Sequence, residues 1–315
     1  MNAACENTRF ADDALQESAP VLENRQVAQH TYQLSVEAPG IAERIVPGQF
    51  VMLRLAGFDD PLLGRPLALY DTLDPAELDR RGLGARRTRN VPAGRPAALD
   101  VVYLAQGKLT TRLARFQPGQ WVELWGPLGN GFRPATAKRL IMVAGGIGQT
   151  PFLALAREAL GSRRYGLADQ QGRADRPAPP AAPRVTLCYG ARTASLLAGV
   201  EDFEAAGVDV RLATDDGSRG HHGRAPDLVR EALAESAAEL ADVEIVACGP
   251  EPMLAAVAGV AAERGVRCAV SLETPMACGV GICFSCVTRV KEDGGWDYKR
   301  TCVEGPVFDA AKIAW

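Results

Sequence analysis

The N-terminal part of the chain alternates short apolar segments with turns. The clearest apolar or alternating segments are Thr31–Val36, Gln49–Leu55 and Leu99–Leu104. Two of the turns that precede such segments contain Pro47-Gly48 and Pro118-Gly119. Strand-length segments between turns of this kind are typical of antiparallel sheets. We therefore expect residues 21–135 to form a small antiparallel β-barrel domain.

A stretch rich in arginine, glycine and proline, residues 79–96, interrupts this pattern. Connecting segments of this composition usually run over the protein surface. We expect a surface loop insertion whose basic charge is either solvated or meets an acidic partner.

After residue 136, apolar strands alternate with helical stretches. The predicted strands are Leu140–Ala144, Val185–Tyr189, Val208–Ala213 and Val243–Cys248. This alternation is the βαβ pattern, and it predicts a parallel, doubly wound α/β sheet over residues 136–273. Residues 162–183 are rich in Pro, Ala, Arg and Gly, and we expect them to form a mobile loop.

The two ends of the chain follow neither pattern. Residues 1–20 are polar and acidic, so we expect a disordered tail there. Residues 274–315 form a small cysteine-containing module. In this module Val287–Val290 and Asp297–Arg300 predict a hairpin around Asp293-Gly294-Gly295, which would return the last cysteine to the others.

Composition narrows the class of protein. The chain has 315 residues, enough for two domains and a small module, and 47% apolar with 23% charged residues is ordinary for a globular protein. A net charge of −3 is no basis for nucleic-acid binding. The uncharged stretch Leu140–Ala156 is short for a membrane span and has a glycine turn at its centre, so we expect no membrane segment. We see no secretory signal and expect a reducing, cytoplasmic location.

Four of the eight cysteines carry the strongest chemical signal. They are spaced C-x4-C-x2-C with a fourth after fifteen residues, and they are Cys278, Cys283, Cys286 and Cys302. This order is the plant-type ferredoxin pattern for a [2Fe–2S] cluster, a carrier of single electrons. Glycines between the first two cysteines permit a tight loop. Zinc is an alternative, although it usually takes two C-x2–4-C pairs. Disulfides are another, although the remaining cysteines are scattered.

Three loops after predicted strands have the residues of a nucleotide site. In the first, Gly145, Gly146 and Gly148 lead into Thr150-Pro151. Glycines let phosphates approach the backbone, and a helix start supplies free N–H groups. The second loop is Cys248-Gly249-Pro250, and the third is Thr214–Ser218. A tight connection within a sheet is the alternative for each loop alone.

In the predicted barrel, Arg65 precedes a stiff extended segment, Pro66-Leu67-Ala68-Leu69-Tyr70. An arginine in this place can pair bidentately with a phosphate. A solvated arginine at the end of a strand is the alternative.

Together these segments resemble the ferredoxin–NADP reductase superfamily and, more narrowly, the electron-transfer subunits of type B dihydroorotate dehydrogenases. The shared order is an R-P-x-x-x-Y strand, G-P-L-G-N-G-F at residues 126–132, A-G-G-I-G-x-T-P, C-G-P-x-P-M and the cysteine module. The closing segment Tyr298–Phe308 is the most specific part. The resemblance covers about residues 22–312 without the two insertions.

The resemblance implies FAD in the barrel, NAD(H) in the α/β domain and a cluster that faces a partner subunit. It places Arg65–Ala68 on the flavin, with Ala68 where the family usually has serine. It places Val102-Tyr103-Leu104 on a second flavin strand, with Leu104 in place of arginine. It places Leu109-Thr110 near the FAD phosphates, with Leu109 in place of glycine. Three departures in one site indicate a divergent branch.

The function that the resemblance implies is electron transfer in de novo pyrimidine (UMP) biosynthesis. A partner's FMN would oxidise dihydroorotate, and the electrons would pass through the cluster and FAD to NAD+ in a heterotetramer of two subunits of each kind. We see no catalytic base in this chain. The alternative is an equivalent subunit of a bifurcating ferredoxin–NADP reductase, a sulfide dehydrogenase or a hydrogenase; a third is a non-enzymatic redox-sensing subunit. Arg192 leaves the choice of NADH or NADPH open.

Overall fold

The computed structural model describes residues 11, 13–167, 178, 180, 183–236 and 239–315. The first ten residues of the expected tail, and most of the expected loop at 162–183, lie outside the described residues. No helix in the described part of the chain is long and apolar enough to cross a bilayer.

The N-terminal domain is a closed antiparallel barrel, as the pattern predicted. Its strands are β1 (Leu15–Ala28), β2 (Thr31–Val36), β3 (Phe50–Leu55), β4 (Arg65–Leu73), β5 (Ala98–Leu104) and β6 (Trp121–Leu128). They follow the order β1-β2-β5-β4-β3-β6 around the barrel. Its short helices are α1 (Pro39–Ala42), α2 (Pro75–Arg80) and α3 (Lys108–Leu113), with a 3-10 turn at Gly84–Arg86.

The expected tail was wrong for residues 15–20, which form the first half of β1. That half pairs with β6 from Leu15 opposite Gly126 to Pro20 opposite Trp121, while the second half pairs with β2. A barrel closes only when its edge strands find partners. The polar composition of residues 15–20 hid this strand, because its pairing partner lies about a hundred residues away.

The expected surface loop at residues 79–96 is packed against the barrel and was also wrong in part. Leu78, Leu83 and Val91 are buried with Leu22 and Leu73 of the barrel strands. An insertion with apolar residues at these positions buries them in a small satellite core. The 79–96 segment is therefore part of the barrel domain's packing.

The basic charge of this insertion is largely paired within the chain. Arg81 pairs with the buried Asp100 at 2.7 Å, Arg95 Nε donates to Glu43 at 2.8 Å, and Arg89 pairs with Glu17. These contacts leave little basic charge for the acidic partner that was one of the two expectations.

The second domain is a mostly parallel α/β sheet, as predicted. Its strands are β7 (Arg139–Gly145), β8 (Arg184–Ala191), β9 (Asp209–Thr214), β10 (His221–His222), β11 (Val243–Cys248) and β12 (Arg267–Ser271). Its helices are α4 (Phe152–Ala159), α5 (Val200–Ala205), α6 (Ala225–Ala234) and α7 (Glu251–Arg264), with 3-10 turns at Gly146–Gln149, Ala194–Leu196 and Leu240–Asp242.

The strand order of this sheet has a switch point. The chain runs outward from β7 through β8 and β9 to β10, then returns so that β11 pairs with the other side of β7. The order of the strands therefore reverses between β7 and β11. Open α/β sheets bind ligands at the carboxyl ends of the strands at such a switch point.

The cysteine module joins both domains. Its hairpin, β13 (Val287–Glu292) with β14 (Gly295–Arg300), forms as predicted, and β15 (Val307–Asp309) pairs antiparallel with β12. A 3-10 turn at Ala310–Lys312 follows. The module thus extends the α/β sheet to seven strands.

Candidate functional site

The two loops at the switch point pack directly against each other because three positions are glycine. A Cβ at Gly148 would lie 2.1 Å from the Cys248 carbonyl oxygen. A Cβ at Gly145 would lie 2.7 Å from Met253 Sδ, and one at Gly249 2.9 Å from the Gly145 nitrogen. The sequence-predicted loops after β7 and β11 therefore meet, and only glycine permits this contact.

Gly146 is the part of the first loop that faces open space. It has φ +56°, and a Cβ there would meet nothing within 4 Å. Gly145, Gly148 and Thr150 are buried, and Pro151 precedes α4 as its N-cap. Gly146 and Ile147 are thus the accessible part of this loop, while the buried members of the motif hold the loop in place.

The third expected loop, Thr214–Ser218, lies beside Arg192 at the ends of β8 and β9. The Asp216 N–H donates to the Arg192 carbonyl oxygen at 3.3 Å, and the Asp215 N–H donates to Ala191 at 3.1 Å. The Arg192 side chain is exposed. An arginine and a carboxylate thus occupy the same rim of the sheet.

On the barrel, strand alternation sorts the predicted flavin residues into two faces. Leu67 and Leu69 pack in the barrel core, so Pro66 and Ala68 between them face outward. Ala68 is partly accessible, and Arg65 at the start of β4 is exposed, with Nη1 donating to the Gly64 carbonyl at 2.9 Å.

The same alternation divides β5. Tyr103 packs in the core, where its ring stacks on Tyr32 at 5.8 Å and its hydroxyl donates to Asn24 Oδ1 at 3.0 Å. Val102 lies on the outer face, in an apolar cluster that includes Phe152 of α4. Leu104 is the partly accessible residue of this segment.

Three side chains predicted at the flavin are turned into the barrel. Leu67, Tyr103 and Leu109 belong to the barrel core. The Thr110 hydroxyl is already used, since it donates to the Gln106 carbonyl at 2.7 Å and accepts from the Gln106 N–H at 3.0 Å. These residues shape the barrel wall, and the accessible positions of the predicted set are Arg65, Pro66, Ala68 and Leu104.

A cavity of about 290 Å³ beside α3 contains basic residues that the sequence reading missed. Its lining includes Lys108, Arg112 and Arg115. Lys108 pairs with Asp60, and the Arg112 guanidinium carbon lies 5.0 Å from the centre of the Phe58 ring. The signal was available, because Lys108 and Arg112 are spaced i, i+4 and so share one face of α3.

The four thiols fall into two pairs. Cys286 Sγ and Cys302 Sγ lie 3.1 Å apart and are buried, at 1% and 2% exposure. Burial raises the pKa of the Cys302 thiol to about 12. Hydrogen bonds from Ser285, with a smaller contribution from Cys278, lower the pKa of the exposed Cys283 thiol to about 6. Among the described residues, no three metal-ligating side chains converge on one point. A [2Fe–2S] cluster takes four cysteines over two irons, which fits two pairs.

Barrel residues hold the cysteine loop. Trp125 Nε1 donates to the Cys278 carbonyl at 2.9 Å, and a Cβ at Gly279 would lie 2.6 Å from Met52 Cγ. Phe50 packs in one apolar cluster with Cys286 and Cys302. The two buried cysteines therefore rest on β3 and β6.

Phe50 also connects the cysteines to the outer face of β4. It is the ladder partner of Ala68, and side chains of directly opposed residues in an antiparallel pair share a face. Phe50 thus lies between Ala68 and the buried cysteines. A flavin on the Ala68 face would be one side chain away from a cluster on these cysteines.

Asn130, from the G-P-L-G-N-G-F segment, is a structural residue whose role the sequence did not show. Its Nδ2 donates to the carbonyls of Glu304 at 3.1 Å and Val307 at 2.8 Å, and its Oδ1 accepts the Val307 N–H at 3.1 Å. Its own N–H donates to Gly305 at 2.7 Å. Asn130 fastens the closing segment of the cysteine module to the end of the barrel.

Two family models match the chain. Residues 273–314 match the iron–sulfur cluster binding domain of dihydroorotate dehydrogenase B, and residues 142–259 match an oxidoreductase NAD-binding domain.

Curated relatives match over nearly the whole length. The dihydroorotate dehydrogenase B (NAD(+)) electron transfer subunit of Caldanaerobacter subterraneus is 31% identical over 296 residues, 94% of this chain and 97% of the relative. The subunit of the same name from Bacillus caldolyticus is 34% identical over 300 residues, 94% of this chain and 98% of the relative.

Solved structures share the fold. An NADH-dependent reduced ferredoxin–NADP oxidoreductase, described for flavin-based electron bifurcation, has a TM-score of 0.69 at 24% identity, covering 94% of this chain and 90% of that one. A ferredoxin–NADP+ reductase from Neisseria gonorrhoeae with bound FAD and NADP has a TM-score of 0.54 at 17% identity, covering 79% and 92%.

Proposed function

The chain belongs to the family of dihydroorotate dehydrogenase B electron transfer subunits, and we propose on this premise how its residues serve that function. It is an oxidoreductase subunit with FAD, NAD and an iron–sulfur cluster as cofactors. It passes electrons from the oxidation of dihydroorotate through the cluster and FAD to NAD+, in pyrimidine biosynthesis. FAD suits the middle position because flavins exchange both one and two electrons.

The observation that carries this proposal is the adjacency of three surfaces. The outer face of β4 with Ala68 connects through Phe50 to Cys286 and Cys302. Its neighbour β5 carries Val102, which packs with Phe152 directly after the glycine loop of the α/β domain. The proposed flavin surface therefore lies between the proposed cluster and nicotinamide surfaces.

We assign the following residues to the cofactors. The cluster ligands are Cys278, Cys283, Cys286 and Cys302. The flavin contacts are Arg65, Pro66, Ala68 and Leu104, with Lys108 and Arg112 toward its diphosphate. The nicotinamide dinucleotide contacts are Gly146, Ile147, Gly249 and Pro250. The corresponding units are the barrel to residue 135, the α/β domain at 136–273 and the module at 274–315.

We further propose an FMN-containing catalytic partner, in a heterotetramer of two subunits of each kind, in the cytoplasm. The predicted ligand loop supports a partner, because Ile282 and Phe284 are 79% and 63% exposed beside the cysteines. Of the cysteines outside the module, the three that the structure describes are free thiols, Cys188, Cys248 and Cys268, which suits a reducing compartment.

Stopped-flow absorbance tests the division of labour. NADH should bleach the flavin of the isolated chain, because both sites lie within it. Dihydroorotate should bleach it only after the FMN-containing partner is added. Rapid bleaching by dihydroorotate alone would contradict the proposal. Failure with that partner, combined with success with a hydrogenase or sulfide-oxidising subunit, would favour the alternative partner.

A further inference from the structure

One side chain, Arg300, contacts the cysteine loop at two separate points. Its Nη1 donates to the Gly281 carbonyl oxygen at 3.0 Å. Its guanidinium carbon lies 5.1 Å from the centre of the Phe284 ring. Gly281 stands between the first and second cysteines of the C-x4-C-x2-C segment, and Phe284 between the second and third. Arg300 therefore reaches both intervals between the predicted ligands.

Arg300 is itself held in a fixed direction by Glu304. Its Nε lies 3.2 Å from both carboxylate oxygens, its Nη2 donates to Oε1 at 2.5 Å, and its backbone N–H donates to Oε2 at 2.7 Å. A planar guanidinium fork matched to a carboxylate has little freedom to turn. The pair is partly covered, since the two side chains are 23% and 29% exposed.

The residue after Arg300 also binds the cysteine loop. Thr301 donates its N–H at 2.7 Å and its hydroxyl at 3.0 Å to the Cys286 carbonyl oxygen. Arg300 and Thr301 together hold the loop from Gly281 to Cys286.

The loop needs this support because its backbone is strained and exposed. Phe284 has φ +53°, in the left-handed region that a phenylalanine rarely adopts. Its ring is 63% exposed and Ile282 is 79% exposed. Packing alone therefore does not hold this part of the loop, and the cation–π contact with Arg300 fixes the ring from one side.

Arg300 is also a cation close to two of the cysteines. It stands two residues before Cys302 in the chain, and the next residue, Thr301, donates to the Cys286 carbonyl oxygen. A reduced cluster carries one more negative charge than an oxidised cluster. A neighbouring cation therefore stabilises the reduced form more than the oxidised form, and charge is one of the factors that set the potential of iron–sulfur clusters.

We propose that Arg300 is a positioning residue for the cluster, which orients the ligand loop through Gly281 and Phe284 and raises the reduction potential by its charge. Glu304 orients Arg300 and lowers the potential by its own charge. The inference rests on the proposed assignment of the four cysteines as ligands.

Reductive titration of the full chain with dithionite, followed by electron paramagnetic resonance, tests this. Arg300→Gln should shift the cluster's reduction equilibrium about tenfold toward the oxidised form, about 59 mV for one electron. Glu304→Gln should shift it in the opposite direction. Arg289→Gln is the control, because Arg289 is in the same hairpin but lies over Trp296, at 5.5 Å, and it should leave the potential unchanged.

An unchanged potential in Arg300→Gln with full iron content would overturn the proposal, and so would shifts of equal sign in the Arg300 and Glu304 variants. If Arg300→Gln loses its iron, Arg300→Lys decides, because it keeps the charge; a potential near that of the unchanged protein supports the proposal, and a tenfold shift refutes it. If both lose iron, the sign of the Glu304→Gln shift decides. Absence of iron and sulfide from the unchanged protein would instead refute the ligand assignment.

Discussion

At the residue scale, the four cysteines around one expected cluster differ in exposure. Cys286 and Cys302 are buried at 1% and 2% exposure, whereas Cys283 is exposed. Ligation deprotonates thiols, and burial raises the pKa of the Cys302 thiol. Cys302 should therefore depend strongly on the cluster for its charged form.

We expect Cys302→Ser to leave a depleted or altered cluster, because a [2Fe–2S] centre needs four ligands. Iron and acid-labile sulfide analysis measures this. Cys268→Ser is the matched control, since Cys268 is a partly buried free thiol of β12, and it should keep full iron and sulfide. A zinc-only protein without sulfide would contradict the ligand assignment.

Gln149 is a second residue whose environment makes a prediction. Its side chain is fully buried, and neither Oε1 nor Nε2 has a hydrogen-bond partner among the residues that the structure describes. Leaving a buried polar group unpaired costs about 1–3 kcal/mol. Gln149→Met keeps the length of the side chain and removes this cost, so we expect the free energy of unfolding in urea to rise by about 1 kcal/mol or more.

Gln33 provides the control for that measurement. It is also buried, but its Nε2 donates to Asp100 Oδ2 at 2.7 Å. Gln33→Met should lower the free energy of unfolding, because it leaves Asp100 with fewer donors. If Gln149→Met destabilises the protein as much as Gln33→Met, the Gln149 amide has a partner in solution.

At the scale of elements, the switch-point crevice depends on two loops that touch through glycine. The loop after β7 packs against the end of β11. A Cβ added to Gly148 would lie 2.1 Å from the Cys248 carbonyl oxygen. The Cys248 backbone cannot move aside for a new side chain as easily as a flexible side chain could. The spacing of the two loops is therefore set by the absence of a side chain.

We expect Gly148→Ala to push these loops apart, raising the KM for NADH at least about tenfold, since an ångström of misplacement in a site costs on that order or more. Steady-state reduction of an artificial acceptor by NADH measures it. The control is Gly259→Ala in α7, where a Cβ meets nothing within 4 Å. That change should leave KM unchanged and stabilise the helix by up to about 1 kcal/mol. Equal KM values in both variants would contradict the crevice assignment.

At the scale of the whole molecule, one buried carboxylate joins the barrel to the α/β domain. Asp71 of β4 is 1% exposed and accepts hydrogen bonds from Tyr165 at 2.7 Å, from Arg163 at 3.2 Å and from Arg157. Burial raises the pKa of Asp71, against the two arginines, which lower it. These three partners lie in or after α4, so the contact fixes the relative position of the flavin and nicotinamide surfaces.

We expect Asp71→Asn to lower the free energy of unfolding by about 3–5 kcal/mol, because it removes the counter-charge of the partly buried Arg157 and leaves Arg163 with Glu77 alone. Urea unfolding measures this, and faster release of FAD should accompany it. Asp242→Asn removes a surface pair with Lys138, whose side chain is 69% exposed, and should cost at most about 1 kcal/mol. Similar losses in both variants would mean that Asp71 does not hold the domains together.

The sequence alone determined the features that depend on local spacing and on strand or helix period. The cysteine spacing predicted the cluster, alternation predicted the barrel and the doubly wound sheet, and Val287–Val290 with Asp297–Arg300 predicted the hairpin. Each of these follows from residues close together in the chain, where period and turn chemistry act directly.

Only the tertiary structure decided which face each residue takes and which distant segments meet. Tyr103 and Leu109 lie in the barrel core, and Leu15–Pro20 became a strand because β6 lies beside it. Asn130 bonds residues 174 to 177 positions away. Alternation along a strand divides its residues between two faces but does not show which face is buried. Pairing between distant strands depends on closure of the barrel, which short stretches of sequence do not reveal.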